Sequence, residues 1–495
     1  MTKVQSRILG IVSASLLIFA FPKTDIWILA WGALVPLMFA LDGKKPAQAF
    51  RTAYLCGIIF FAGTLYWLMH VTFLGAALLI LYLALYFGLW GAAYSYFERQ
   101  SSFQKLFLLP SVWVGLEFLR GHLLTGFDWA SLGHSQYKVL PLIQISDLTG
   151  VAGVSFLVVM VNVALKQIFT QGLKKSKPIL GITLVIVVMV LIYGFVKMEL
   201  FRRTLNPRQI KVAIIQGNVE QAMKWQEDQW PEIMQRYIAL TEEAATVHPE
   251  LIIWPETSFP GILWRDTDTL KDVRHLIGRL KTPILFGSVV VGEGEYYNSA
   301  IFLNQHGDFE KQYNKVHLVP FGEYIPLRSI FPFLGDIIPI ADFTPGKEYT
   351  VFSLEKGLRF STLICFEDTI ADLTRHFVRE GAQLLINMTN DAWFYDTKAP
   401  FMHLQAAVFR TVENRRSLIR AANTGVSCVI DPLGRIKSYV KNENDKMTFI
   451  AGYTVGTVVL NSEKTFYTKL GDFFTYLCFG CILLGIIRQT RSRKF

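Results

Sequence analysis

Charge is what this sequence has least of: Asp, Glu, Lys and Arg make up 18% of its 495 residues, against 52% hydrophobic residues. With a mean hydropathy of +0.34, the chain does not suit a wholly water-soluble protein, and the excess of apolar residues points to several membrane spans. Cysteine is scarce as well. Cys56, Cys365, Cys428, Cys478 and Cys481 show neither a disulfide framework nor the paired spacing of a zinc site. Cys478-Phe479-Gly480-Cys481 has the spacing of a redox pair, but it lies in an apolar run, away from the aqueous surroundings a thiolate needs. The net charge of +10 raises the question of a nucleic-acid partner. Most basic residues outside the central region sit in short loops between apolar runs, where membrane topology accounts for them and no nucleic acid is required.

The long apolar runs are abundant. Seven occupy residues 8–21, 26–41, 52–69, 72–97, 106–119, 148–169 and 179–198, and an eighth covers residues 470–487. Several are shorter than the roughly 20 residues that cross a bilayer. The first follows Lys3 and Arg7 as a signal peptide would, yet no small-x-small cleavage site comes after it, so a retained helix is expected. Lys44, Lys45, Arg51, Arg99, Lys105, Lys174, Lys175, Lys177, Arg488, Arg491, Arg493 and Lys494 fall on one side of eight alternating spans. The positive-inside rule then makes both termini cytoplasmic and the region between the seventh and eighth spans external, the periplasmic side in a bacterium. Glu117 and Arg120, three residues apart, share one helical face, which leaves open a structural ion pair or a contact to substrate.

From about residue 208 to 460 the texture changes to alternating β-type and helical runs, which predicts strands packed beneath helices. One strand delivers Cys365 directly into Glu367 and Asp368. A buried thiol is ordinarily a small hydrophobe, and it becomes a nucleophile only when a neighbour takes its proton. Glu256, after Trp254-Pro255, and Lys315, in Tyr313-Asn314-Lys315-Val316-His317, stand at other strand ends or adjoining loops. A carboxylate, a lysine and a cysteine are together what acyl transfer through a thiol requires: a base, an oxyanion partner and a nucleophile.

These residues and their surroundings resemble the Glu-Lys-Cys triad of the nitrilase, or carbon–nitrogen hydrolase, superfamily. The membrane runs narrow the resemblance to the apolipoprotein N-acyltransferases. The stretches that carry it are Gln216-Gly217-Asn218 through Lys224-Trp225, Trp254-Pro255-Glu256, and Lys315 through His317-Leu318-Val319-Pro320-Phe321-Gly322-Glu323-Tyr324. Cys365-Phe366-Glu367 and Asn390-Asp391-Ala392-Trp393-Phe394 complete the set. The resemblance implies an αββα sandwich domain (208–464) between N-terminal membrane helices (1–207) and a C-terminal helix with a basic tail (465–495), about eight membrane helices in all. It implies Glu256 as general base, Lys315 as oxyanion partner and Cys365 as nucleophile. Trp225, Glu323, Phe366 and Glu367 would be supporting residues. Phe366 stands where the family often has Tyr, which removes a hydroxyl but leaves the backbone N–H as an oxyanion donor, and Asp128 stands where proline is common.

The implied reaction moves an acyl chain from a membrane phospholipid, through a thioester on Cys365, to the N-terminal amine of a diacylglyceryl-cysteine lipoprotein. It implies a monomer in the inner membrane, with no cofactor and no metal. The alternative is a membrane-anchored amidase that hydrolyses a small amide with the same triad. Residues 320–346 hold Pro320, Pro326, Pro332, Pro339 and Pro345 among many apolar side chains, and are expected to form a lid touching the bilayer.

Overall fold

The computed structural model describes residues 2–203, 208–320, 322–324 and 342–491. The expected lid, with Phe331 and Phe333, lies almost wholly outside them. The chain divides into two compact units, Met1–Thr204 with Thr465–Phe495, and Leu205–Lys464.

The first unit is helical. Among the described residues, four of its helical segments are long and apolar enough to cross a membrane: Pro46–His70, Phe73–Tyr96, Val151–Arg203 and Phe473–Arg491. On Phe73–Tyr96, Leu78, Leu81, Leu85 and Leu89 are exposed at helical spacing, while Ile80, Leu83, Ala84, Phe87 and Trp90 are buried. A leucine stripe facing outward has no place in water and suits lipid. Small residues let neighbouring helices close up, since a Cβ on Gly91 would stand 2.8 Å from the Ala49 carbonyl oxygen. The other expected spans depart from that form for local reasons. Residues 26–41 break into a short turn, Trp27–Trp31, and a helix, Leu34–Leu41. Asn162 bridges this break, its amide donating to the Ala30 carbonyl and its oxygen accepting the Leu34 N–H, both at 2.8 Å. Polar backbone at membrane depth requires such partners. Lys3–Phe19 has 17 residues, and Ser102–His122 contains Lys105, Glu117 and Arg120. The sixth and seventh runs form one stretch, Val151–Arg203, broken at Gly172, where φ is 76°. Glu117 and Arg120 interact through charge, while their hydrogen bonds among the described residues go elsewhere: Glu117 accepts from Trp113 Nε1 and the Leu132 N–H, and Arg120 donates to Ser131.

The second unit is an α/β sandwich. Its strands are β1 (Gln209–Gln216), β2 (Leu251–Ile253), β3 (Ile262–Leu263), β4 (Ile284–Gly292), β5 (Glu295–Leu303), β6 (Phe309–Asn314) and β7 (Phe352–Leu354). They continue with β8 (Leu358–Ile364), β9 (Leu384–Thr389), β10 (Ser417–Ala422), β11 (Cys428–Ile430), β12 (Ile436–Tyr439) and β13 (Gly452–Val459). One sheet runs β13-β1-β2-β4-β5-β6 with β3 beside β4, and the other runs β12-β11-β10-β9-β8-β7. In each, central parallel pairs are flanked by antiparallel ones: β1, β2 and β4 in the first, β8, β9 and β10 in the second. The sheets face one another, with Phe302 of β5 edge-on to Phe352 and Phe360 of the other sheet. Helices Trp230–Ala245 and Thr267–Leu280 cover the first sheet, and Ala371–Arg379 and Ala399–Asn414 the second. Central parallel strands are covered on both faces, and β8 and β9 are accordingly buried at every residue but Arg359.

Candidate active site

Each expected site residue follows a strand end or lies in the connection beyond it. Glu256 comes three residues after β2, and Lys315 follows the last residue of β6. Cys365 follows the last residue of β8 and opens the turn Cys365–Thr369. Parallel strands expose the loops at their carboxyl ends, and here two facing sheets present such loops to one space. The Pro255-Glu256-Thr257 turn lies hard against β4. A Cβ on Gly287 would stand 2.7 Å from Glu256 Cα and from the Pro255 carbonyl oxygen, so the close approach requires glycine.

Glu256, Lys315 and Glu323 form a buried charge cluster, their exposures being 6%, 1% and 9%. Lys315 Nζ lies 2.9 Å from Glu323 and 3.7 Å from Glu256 Oε1. Asn298 on β5 donates to both carboxylates, at 2.7 Å to Glu256 Oε1 and 2.8 Å to Glu323 Oε1. The Asn390 N–H gives Glu256 Oε2 a further bond at 2.8 Å. The Glu256 carboxylate is thus held at both oxygens, one from each sheet.

Burial raises the pKa of Glu256; Lys315 opposes the shift and Glu323 adds to it. On Lys315 burial works against the charge, but Glu323, Cys365, Glu256 and Glu367 outweigh it and hold the ammonium above its ordinary range. Burial and then the Glu256 carboxylate push the Cys365 thiol well up, against Lys315. The resting sulfur is therefore a thiol, and chemistry there requires a base in the transition state.

Cys365 is half-buried and has φ 55°, a left-handed conformation uncommon outside glycine. Such a backbone persists only where its surroundings over-determine it, and it turns the side chain out of the strand. Phe366 lies beside the cluster, with Lys315 Nζ 5.4 Å from its ring centre. Glu367 faces inward, fully buried. It accepts the N–H groups of Val316, His317 and Ile364 and the Tyr313 hydroxyl, and so joins the Lys315 loop to the strand before Cys365. Burial pushes its pKa up to about 7 against the N–H donors of His317 and Ile364. Trp225 is 54% exposed on its turn, Met223–Trp225.

Several residues here carried no separate role in the sequence reading. Lys224, next to Trp225, is buried and donates to Thr257 Oγ1 at 3.0 Å and to the Glu256 carbonyl at 3.3 Å. Burial pulls its pKa down to about 7. Asn298 sits in a strand that is apolar only in its second half, and Asn390 directly follows β9. Asn298 does not differ in type from an ordinary strand asparagine, and Asn390 lies in a stretch that carries the resemblance, but their bonds to Glu256 are revealed only by the fold.

Residues 13–164 match the apolipoprotein N-acyltransferase N-terminal domain family, and residues 211–458 match the carbon-nitrogen hydrolase family. Over 95% of its length the chain is 37% identical to the apolipoprotein N-acyltransferase of Geobacter metallireducens, covering 92% of that relative. The chain belongs to the apolipoprotein N-acyltransferase family. The relative from Chlorobaculum tepidum is 30% identical, with 96% of this chain and 94% of that relative covered. Among solved structures, the yeast nitrilase-superfamily protein Nit3 is 19% identical at a TM-score of 0.39, over 51% of this chain and 90% of its own. As a family member the chain is an acyltransferase of the carbon–nitrogen hydrolase superfamily, and its apolar helices make it a membrane protein.

Proposed function

We propose that this chain transfers an acyl group from a membrane phospholipid to the α-amine of a diacylglyceryl-cysteine lipoprotein, by way of a thioester on Cys365. The observation that carries this is the joining of a Glu-Lys-Cys constellation to a region of the N-terminal acyltransferase family in one chain. Hydrolysis of a small soluble amide would call for the constellation but not for the membrane region.

In the first half-reaction Cys365 Sγ attacks the phospholipid ester carbonyl while Glu256 takes the thiol proton. Lys315 and the Phe366 N–H hold the oxyanion. When the tetrahedral intermediate collapses, the carbon–oxygen bond breaks, Glu256 returns its proton to the departing oxygen, and a lysophospholipid leaves. In the second, the lipoprotein α-amine attacks the thioester carbonyl, Glu256 takes its proton, and the carbon–sulfur bond breaks to give the amide. The proton then returns to Cys365. The raised pKa of Glu256 suits a group that must accept and release a proton in both halves. Glu323 fixes Lys315, Glu367 fixes the two loops, and exposed Trp225 meets the lipid substrate.

The chain crosses the bacterial inner membrane eight times as a monomer, with the Leu205–Lys464 unit on the periplasmic side. The break at Gly172 divides Val151–Arg203 into two crossings, and the basic loops give the orientation. The deciding experiment incubates purified protein with phospholipid alone and reads intact mass and peptide masses. An acyl adduct on Cys365, discharged by a diacylated lipopeptide and not by water, is expected. Release of free fatty acid without transfer would favour the hydrolase.

A further inference from the structure

Beneath the nucleophile lies a second charged group that the reaction above does not use. Asp368 is in the turn after Cys365, Asp391 follows β9, His403 is on helix Ala399–Asn414, and Arg420 is on β10. All four are at most 1% exposed. His403 Nε2 lies 2.6 Å from Asp368 Oδ1 and 3.2 Å from the Cys365 carbonyl oxygen, and its Nδ1 lies 3.3 Å from Asp391 Oδ1. Arg420 Nη1 donates to Asp368 Oδ2 at 2.6 Å, and its Nη2 lies 3.8 Å from Asp391 Oδ2.

Two features fix the state of the ring. Both nitrogens face carboxylate oxygens, so either neutral tautomer would set a lone pair against an acceptor. Two buried carboxylates and one guanidinium also leave an excess negative charge that one imidazolium cancels, and buried charges persist only when paired. Arg410 and Glu413, on the same helix, form their own buried pair and leave this balance unchanged. Burial pulls His403 down, but Asp368 and Asp391 outweigh it and hold its pKa above the ordinary value. Burial alone would raise Asp391, and bonding to His403 brings it below the usual carboxylate range.

We propose that His403 is a positioning residue for Cys365: as an imidazolium clamped between Asp368 and Asp391, it shares its Nε2–H between Asp368 and the Cys365 carbonyl and holds the left-handed turn that aims the sulfur. Asn387 supplies the second donor to that carbonyl, at 2.8 Å, so the strained peptide is gripped from β9 and from the helix above. A residue at positive φ needs such restraint. The Asp368–Arg420 bond anchors the clamp in the sheet. This inference rests on the reading of Cys365 as the nucleophile.

The test separates aim from charge balance. His403→Gln leaves one uncancelled buried carboxylate, so its Tm is expected to fall. His403→Gln/Asp391→Asn restores electrical balance, and its Tm is expected to recover. Single-turnover acylation of Cys365 by phospholipid should nonetheless stay down by about a hundredfold in the double variant, as for a misplaced reacting atom, with the phospholipid KM unchanged. Alkylation of the Cys365 peptide by iodoacetamide, followed by mass spectrometry across pH, should slow as well. If acylation recovers together with Tm, His403 serves stability alone and the proposal is wrong. Should wild-type protein form no acyl adduct, the reading of function fails. The alkylation rates would then decide the positioning role by themselves, equal rates in wild type and double variant overturning it.

Discussion

The Tyr313 hydroxyl lies 2.9 and 3.0 Å from the two carboxylate oxygens of Glu367. Tyr313 is the penultimate residue of β6, two before Lys315, and Glu367 comes two residues after Cys365, so this bond ties the Lys315 loop to the Cys365 turn. Three backbone N–H groups converge on the same carboxylate. Glu367 is therefore a hub that receives only donors.

Glu367→Gln is expected to break that hub although it preserves shape. One amide oxygen cannot serve both Ile364 on one side and Val316 with His317 on the other, so an NH2 must face a buried N–H. An unsatisfied buried group costs about 1–3 kcal/mol, which for a domain of this size lowers Tm by several degrees, at about 2–4 °C per kcal/mol. Acylation should slow too, because both loops lose their common anchor. Thermal unfolding and single-turnover acylation check it; an unchanged Tm would remove the hub assignment.

Lys315→Met should injure both fold and reaction. It leaves Glu256 and Glu323 buried without their cation, and breaking a buried pair costs about 3–5 kcal/mol. Loss of an oxyanion donor adds about 3 kcal/mol to the acylation barrier. Adding Glu323→Gln removes one of the two carboxylates, so Lys315→Met/Glu323→Gln should regain Tm and remain slow. If the double variant regains rate along with stability, Lys315 is a structural counter-ion and not an oxyanion partner.

The residues that were legible in the sequence are those whose chemistry contradicts their setting. Cys365 after an apolar strand, Glu256 after Trp254-Pro255 and Lys315 in a polar loop stand out because a strand end is where such groups become useful. The helices Trp230–Ala245 and Ala399–Asn414 are plain from periodicity, and β8 and β9 from their apolar runs. Strand β10 is hidden because Arg420 interrupts Leu418-Ile419 and Ala421-Ala422, yet that side chain is fully buried against Asp368. The partner that makes a buried arginine acceptable is 52 residues away, beyond the reach of any local pattern. His403 is hidden for the same reason, as its meaning depends on two carboxylates contributed by other elements. In the membrane unit, hydropathy shows apolar runs but not breaks, and the turn capped by Asn162 and the kink at Gly172 leave little trace in the average.

Cys365→Ser is expected to abolish the acyl adduct while the protein stays folded. The substitution is nearly isosteric, but a serine hydroxyl is far harder to deprotonate beside a carboxylate, and the pocket already pushes even the thiol well up. Intact-mass measurement of the purified variant after incubation with phospholipid checks this. A wild-type amount of adduct, mapped elsewhere, would move the nucleophile to another residue.

The pH dependence of acylation should move in opposite directions in two variants around Glu256. Protonated Glu256 cannot take the Cys365 proton, so the rate is lost as pH falls through the Glu256 pKa, which burial raises and Glu323 raises further. The Asn298 amide stabilises the ionised form and lowers that pKa. Asn298→Leu removes the donor at similar volume, so the acid limb of single-turnover acylation should shift to higher pH. Glu323→Gln removes a like charge and leaves Lys315 free to serve Glu256 alone, so the limb should shift to lower pH. Glu367 has a pKa of about 7 and could contribute its own acid limb. It has bonds to neither Asn298 nor Glu323 among those described, so a limb governed by Glu367 would stay in place in both variants. Shifts of opposite sign therefore identify Glu256 as the base, and an acid limb that stays fixed in both would assign the titration elsewhere.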